Sequence, residues 1–327
     1  MRTTARARKL VVGVAALSAC ALLLTGCGLR SASGAVLAAK PGSIPRYKSL
    51  EGAHLTVAAK DFTEQLILGN MMSTVLSTAG ADVTNLSDTP GSFGVRQALL
   101  KRDVDLSPEY TGTGWINYLG NTKPIKGSTA QYQAVYKADL KNGLTWLPPA
   151  PMNNTYAFAI REAKAKQLNI TKLSQLTKLP KNELTFCVES EFAKRNDGFQ
   201  PMLKTYGLSN SKIAKATTLD TGVIYTATAD GGTCNFGEVF TTDGRIPGLH
   251  LRVLEDDKQF FPLYNLSEVV QTSTLKKYPD IAKIFAEINP KLTNKTMLAL
   301  NAKVDVAGGD PAIVAKDWLV KEGFVKK

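Results

Sequence analysis

The chain has 327 residues, of which 44% are hydrophobic and 21% charged, with a formal charge of +12. The positive excess is spread along the sequence, with no basic run interleaved with aromatics, which argues against a nucleic-acid partner. Beyond the first 27 residues no stretch approaches 18 apolar residues, which excludes a later membrane-spanning helix.

The N-terminus reads as an export signal over residues 1–26. Arg2, Arg6, Arg8 and Lys9 precede an apolar run from Leu10 to Leu24, too short for a spanning helix and suited to a signal peptide. The run ends in Leu24-Thr25-Gly26-Cys27, which resembles a lipobox: the Cys27 thiol takes a diacylglycerol and the peptide is cut before it. Leu17-Ser18-Ala19-Cys20 is a second candidate, but cutting there leaves an apolar region of only about seven residues. Two acyl chains hold a protein on a membrane where one does not. Losing the four cations of the signal leaves +8, which reads as a solvated basic surface near an anionic membrane or wall. Residues 27–49 then read as the anchor and a flexible tether, rich in Ser, Ala, Gly and Pro.

From residue 50 onward strand and helix signals alternate. His54 to Ala59 reads as a strand. Asp61-Phe62-Thr63-Glu64 opens a helix, with Thr63 as N-cap and Phe62 and Ile67 as a hydrophobic staple. Leu68, Met72, Val75, Leu76 and Ala79 continue its apolar stripe, and Gly80 ends it. Val95 to Lys101 reads as a helix, Val104 to Leu106 as a strand, Tyr132 to Leu140 as a helix and Tyr156 to Ile160 as a strand. Leu184 to Val188, Cys234 to Phe240, Leu251 to Leu254 and Ser267 to Gln271 are further strands. Helices are read at Pro201 to Tyr206 and Gly222 to Ala229. The tail carries helices at Leu275 to Ile288, Thr293 to Asn301 and Pro311 to Glu322.

This grammar predicts an α/β fold, with helices covering mixed sheets. About 280 ordered residues exceed one typical domain, so two lobes are expected. Leu147-Pro148-Pro149-Ala150-Pro151 and Phe260-Phe261-Pro262-Leu263 read as crossings between them. One lobe then holds residues 50–152 plus 262–327 and the other 153–261, with a ligand cleft between.

With Cys20 and Cys27 assigned to export, Cys187 and Cys234 remain, each in a strand-like run. In a disulfide-permissive compartment they suggest a bond. It would close a loop of 47 residues, worth roughly 4 kcal/mol in the chain-entropy model. The alternative is two free buried thiols. A metal site is disfavoured because His54 and His250 lack ligand spacing to the cysteines. The sequence has no Gly-x-Ser-x-Gly elbow, phosphate loop or His-Glu-x-x-His. With only two histidines it argues against an enzyme, and no cofactor is expected.

Six strings occur in order: Ala59-Lys60-Asp61-Phe62-Thr63-Glu64-Gln65; Asp103-Val-Asp-Leu-Ser-Pro108-Glu109-Tyr110-Thr111-Gly112-Thr113; Asn153-Asn154-Thr155-Tyr156-Ala157; Glu191-Phe192 with Arg195-Asn-Asp197-Gly198; Phe240-Thr-Thr-Asp243-Gly244-Arg245-Ile246; and Leu254-Glu-Asp-Asp-Lys-Gln-Phe-Phe-Pro262-Leu-Tyr264-Asn265. From about residue 53 to the C-terminus the chain resembles the substrate-binding lipoproteins of osmoprotectant ABC importers, the glycine betaine/choline class. The resemblance implies a two-lobed type II periplasmic-binding-protein fold that closes on its ligand. It implies an aromatic box for a quaternary ammonium group at Tyr110, Tyr156, Phe240 and Tyr264, and carboxylate donors at Lys60, Thr113 and Arg195. It also implies a membrane permease as partner and a monomeric binding protein.

The chemistry is coherent. A trimethylammonium group has no N–H to donate, so it is recognised by aromatic faces around its diffuse charge. A carboxylate needs fixed donors, which Arg supplies as a fork. Two positions depart from the pattern. Phe240 stands where the family usually has Tyr, which keeps the π-face and loses a hydroxyl. In Pro90-Gly91-Ser92-Phe93-Gly94, Phe93 stands where the family's Gly-Gly-Thr is followed by a small polar residue, leaving Ser92 and Phe93 as further candidate contacts. Phe93 would narrow the pocket if it points into the cleft and is neutral if it points into the lobe. Competing readings are the same fold binding an amino acid or other small cationic metabolite, and a surface lipoprotein with an enzymatic or adhesive role.

Overall fold

The computed structural model describes residue 34 and residues 36–327. The segment expected to be an export signal, Cys20, and Cys27 with its expected lipidation lie outside the described residues. The elements follow in the order β1 (Lys40–Pro41), β2 (His54–Lys60), α1 (Thr63–Thr78), β3 (Asp82–Thr89), α2 (Gly91–Lys101), β4 (Leu106–Tyr110), α3 (Ser128–Asp139), β5 (Leu144–Trp146), β6 (Tyr156–Arg161), α4 (Glu162–Leu168), β7 (Thr185–Val188), α5 (Phe199–Thr205), β8 (Lys215–Thr218), α6 (Thr221–Asp230), β9 (Phe236–Phe240), α7 (Arg245–Gly248), β10 (Leu251–Val253), β11 (Leu266–Gln271), α8 (Thr272–Lys277), α9 (Asp280–Ile288), α10 (Asn294–Asp305), α11 (Pro311–Lys321) and β12 (Val325–Lys326).

Two five-stranded mixed sheets make two lobes. The first has the order β3-β2-β4-β11-β5, with β2 parallel to both neighbours and β11 antiparallel to both. The second has the order β10-β6-β9-β7-β8, with β6 antiparallel to both neighbours and β7 parallel to both. Strands β2, β6 and β11 are buried along most of their length, as strands covered on both faces are; β6 is a continuous apolar run from Tyr156 to Ile160, whereas β11 buries Ser267, Glu268 and Gln271 as well. Helix α1 is buried on most sides. It approaches its sheet so closely at Gly69 that a Cβ there would lie 2.2 Å from Ser87 Oγ and 2.7 Å from Ala59 Cβ.

The chain passes from the first sheet to the second between β5 and β6 and returns between β10 and β11. The two passages run side by side. Asn153 and Asn265 pair as an antiparallel bridge, the Asn154 N–H donates to the Tyr264 carbonyl at 3.1 Å, and Asn265 Nδ2 donates to the Met152 carbonyl at 2.9 Å. The proline segment 147–151 is not itself the crossing. Leu147 and Ala150 N–H groups donate to the Glu268 and Leu266 carbonyls at 2.9 and 2.8 Å, so this segment lies along β11, at the sheet edge where proline is tolerated.

Four sequence expectations need correction. The tether was read as extending to residue 49, but from Lys40 the chain is docked: β1 pairs with β12, Ile44 and Leu50 are fully buried, and the Tyr47 N–H donates to the Ala79 carbonyl at 2.8 Å. Thr63 is not an N-cap. It is the first helical residue, and its hydroxyl donates to Asp305 Oδ1 at 2.6 Å; the ring of Phe62, beside it, packs on Phe240. The Leu275–Ile288 helix breaks at Tyr278-Pro279 into α8 and α9, as expected where proline disfavours helix at the residue before it. The strand read at Val104 to Leu106 runs from Leu106 to Tyr110. Cys187 and Cys234 form a disulfide with Cα atoms 5.8 Å apart, joining β7 to the turn before β9.

Candidate ligand cleft

A cavity of about 850 Å³ lies between the lobes, bounded by the ends of β2, β6 and β9, the start of α2 and the loop after β7. Of the residues singled out from the sequence, Lys60, Ser92, Tyr156 and Phe240 line it. Tyr110, Thr113, Arg195 and Tyr264 are buried outside its wall. Phe93 points neither into the cavity nor into the core; it is 56% exposed and meets Tyr118 edge-on at 6.4 Å.

The four candidate box rings form one connected group. Tyr156, at the start of β6, faces Phe240, at the end of β9, with centroids 5.2 Å apart, because the β6–β9 register pairs these two residues directly. Tyr264 meets Tyr156 perpendicularly at 5.3 Å. Tyr110 joins through Phe62, whose ring stacks on Phe240 at 5.1 Å and on Tyr110 at 6.5 Å. Phe62 was not among the candidates. Its only signal in the sequence was its place beside Lys60 in the first string. Phe192 supports Tyr156 from behind at 4.7 Å. Burial pushes the Tyr110, Tyr156 and Tyr264 hydroxyls well above the ordinary phenol range, so these rings are neutral at physiological pH.

Each cation at the site already has a carboxylate partner. Lys60 Nζ donates to Glu109 Oε1 at 2.5 Å and lies 5.0 Å over the Tyr110 ring. The Arg195 side chain, 1% exposed, directs Nε and Nη2 at Asp197, Nη1 at Glu191 Oε1 at 3.0 Å, and Nη2 also at the Tyr264 hydroxyl at 3.1 Å. Arg245 pairs with Asp243 at 2.5 Å. The remaining charged groups of the wall, Asp61, Glu189, Glu191 and Asp220, are all acidic. Glu191 lies in the fourth string, but nothing in the sequence shows that it faces the other lobe.

Deep in the junction, Glu64 accepts four hydrogen bonds. Tyr110 Oη (2.7 Å) and Asn154 Nδ2 (2.8 Å) donate to Oε1; Thr242 Oγ1 (2.5 Å) and Asn301 Nδ2 (3.0 Å) donate to Oε2. Tyr110 is thus fixed by a carboxylate that also ties the lobes together. Aromatic faces under an acidic wall attract a cation without needing an N–H from it.

Residues 53–321 match the family described as the substrate binding domain of ABC-type glycine betaine transport system. The glycine-betaine-binding protein of Pseudomonas aeruginosa is 37% identical over 273 residues, covering 81% of this chain and 86% of that one. The ergothioneine transport permease/ergothioneine binding protein EgtU of Helicobacter pylori is 34% identical over 282 residues, covering 86% of this chain and half of that longer protein. Among solved structures, apo YehZ from Escherichia coli superposes with a TM-score of 0.64 at 30% identity, covering 84% of this chain and 99% of that one. On its sheet order, its interlobe cleft and these matches, the chain belongs to the family of substrate-binding domains of ABC-type glycine betaine transport systems.

Proposed function

We propose that the cleft captures a quaternary-ammonium compatible solute, such as glycine betaine, proline betaine, carnitine or choline, and hands it to the membrane permease of an ABC importer. The chain is a binding protein and not an enzyme, working on the extracytoplasmic side. The observation that carries the reading is the contact of Tyr156 and Phe240, two rings that line a cavity with an acidic wall. A trimethylammonium group seats against these rings, with Phe62 as an adjoining wall and Tyr264 and Tyr110 behind them. Each ring contributes roughly 0.5–2 kcal/mol. Lys60 and Ser92, which line the cavity, are the groups nearest the other end of the solute, with Thr113 and Arg195 buried behind the wall. A monomeric working unit belongs to the same proposal, supported by a cleft whose described lining comes from one chain.

The test is calorimetric titration of the purified protein with the four solutes and ergothioneine, alongside ordinary amino acids. Saturable heat with a quaternary amine supports the reading. Binding of an amino acid with no response to any quaternary amine rejects it.

Membrane attachment through a diacylglycerol on Cys27 belongs to the same proposal, supported by the Leu24-Thr25-Gly26-Cys27 motif after the apolar run. The docked body begins at Lys40, which leaves residues 28–39 between the proposed anchor and the body. Labelling cells with a radioactive fatty acid checks it: label in the wild type and none in Cys27→Ala is the expected result.

A further inference from the structure

The cleft wall carries a carboxylate, Glu191, that occupies donors of the kind a ligand carboxylate would need. Glu191 belongs to the second lobe and reaches the first. Its Oε2 accepts the Ser92 N–H at 2.9 Å, in the first turn of α2, where free N–H groups favour an anion. Its Oε1 accepts Asn117 Nδ2 at 3.3 Å and Arg195 Nη1 at 3.0 Å. These donors, two from one lobe and one from the other, are therefore filled before any solute arrives. Burial alone would raise the Glu191 carboxyl, but Arg195 and the Ser92 N–H outweigh it and hold the group below its ordinary value. It stands ionised at neutral pH.

We infer that Glu191 sets the charge preference of the cleft: it disfavours solutes that carry a carboxylate and favours quaternary amines that end in a neutral group. The inference rests on the quaternary-ammonium reading above. A betaine carboxylate must either displace Glu191 from Ser92, Asn117 and Arg195 or share their donors with it, and like charges so placed repel strongly. An alcohol end meets no such obstacle, and it can donate its hydroxyl proton to the same carboxylate. The single positive charge of such a ligand is also matched by the acidic wall, whereas a zwitterion brings no net charge to it.

The experiment compares choline and glycine betaine on the wild type and on Glu191→Gln, which keeps shape and removes charge, with thermal unfolding as a check on folding. The expected result is choline preference in the wild type and a shift of the affinity ratio toward betaine by about tenfold in the variant. Glu191→Asp, which keeps the charge, should retain the wild-type preference. A second reading needs no variant: raising salt from about 0.01 M to about 1 M shortens the Debye length from about 30 Å to about 3 Å and should move the wild-type ratio toward betaine. Binding of both ligands with a ratio unchanged in Glu191→Gln, or an equal shift in Glu191→Asp, overturns the role of Glu191 alone. Binding of neither by the wild type overturns the quaternary-ammonium reading together with it.

Discussion

The hydroxyl of Thr242 in the second lobe donates to Oε2 of Glu64, in the first turn of α1 in the first lobe, at 2.5 Å. Burial raises the Glu64 carboxyl above its ordinary value, and its four donors offset this only in part. The lobes are therefore joined by a buried hub as well as by the two crossing strands. Glu64→Ala would remove the acceptor of the Tyr110 and Thr242 hydroxyls and of the Asn154 amide together, and one of the two acceptors of Asn301. Leaving several buried polar groups unpaired costs about 2–4 kcal/mol. Urea unfolding should show a loss of that size, with a smaller one for Glu64→Gln, which keeps two of the four contacts within reach.

A second prediction concerns how near the lobes stand. A Cβ on Gly244, in the loop before α7, would lie 2.3 Å from the Ala302 nitrogen and 2.4 Å from its Cα in α10. Backbone on the opposing side cannot yield as a side chain can. Gly244→Ala should shift the protein toward more open lobes. Its radius of gyration by small-angle scattering should increase, and its affinity for solute should fall about tenfold, in proportion to the lost closed population. An unchanged scattering profile with full affinity contradicts this.

The disulfide gives a third. Cys187 and Cys234 close a loop across a sequence separation of 47, which the chain-entropy model values at roughly 4 kcal/mol. The double variant Cys187→Ala/Cys234→Ala should melt about 10 °C below the wild type, and the wild type treated with a reductant able to open the bond should approach it.

Stability should depend on pH through Glu268 in β11. Burial pushes its carboxyl up to about 7 from an ordinary 4.5, only partly offset by Asn289 Nδ2 at 2.8 Å. The folded state holds this proton more tightly than the unfolded one. Its contribution to stability is therefore lost as pH rises through that window, by at most about 3 kcal/mol, and the loss is complete above it. Glu268→Gln removes this term. Relative to the wild type, the variant should gain stability between about pH 5 and about pH 8, read as the difference in urea midpoint. A difference that does not vary with pH counts against it.

Much of this architecture is legible in the sequence, and the exceptions have physical causes. The buried strand β6 announces itself by a continuous apolar run, Tyr156 to Ile160. The edge strands β3 and β8 do not: Asp82–Thr89 and Lys215–Thr218 are polar and largely exposed, and a strand paired on one side leaves little hydrophobic signature. The tyrosines at 110, 156 and 264 stand out by type and by string. Phe62 and Glu191 do not, because their importance comes from facing the opposite lobe, a relationship set by closure rather than by local pattern. Arg195 illustrates the converse. Its type suggests a ligand donor, yet the fold surrounds it with Asp197, Glu191 and Tyr264, which no spacing in the sequence reveals.

The central claim is that a positive charge is recognised through aromatic faces at Tyr156 and Phe240. It is tested most directly by comparing choline with its neutral tert-butyl analogue, in which carbon replaces nitrogen and shape is kept. If the rings read charge, the analogue should bind at least about tenfold more weakly, and Tyr156→Ala should narrow that gap by weakening choline more than the analogue. Equal affinity of the two compounds for the wild type would contradict the account.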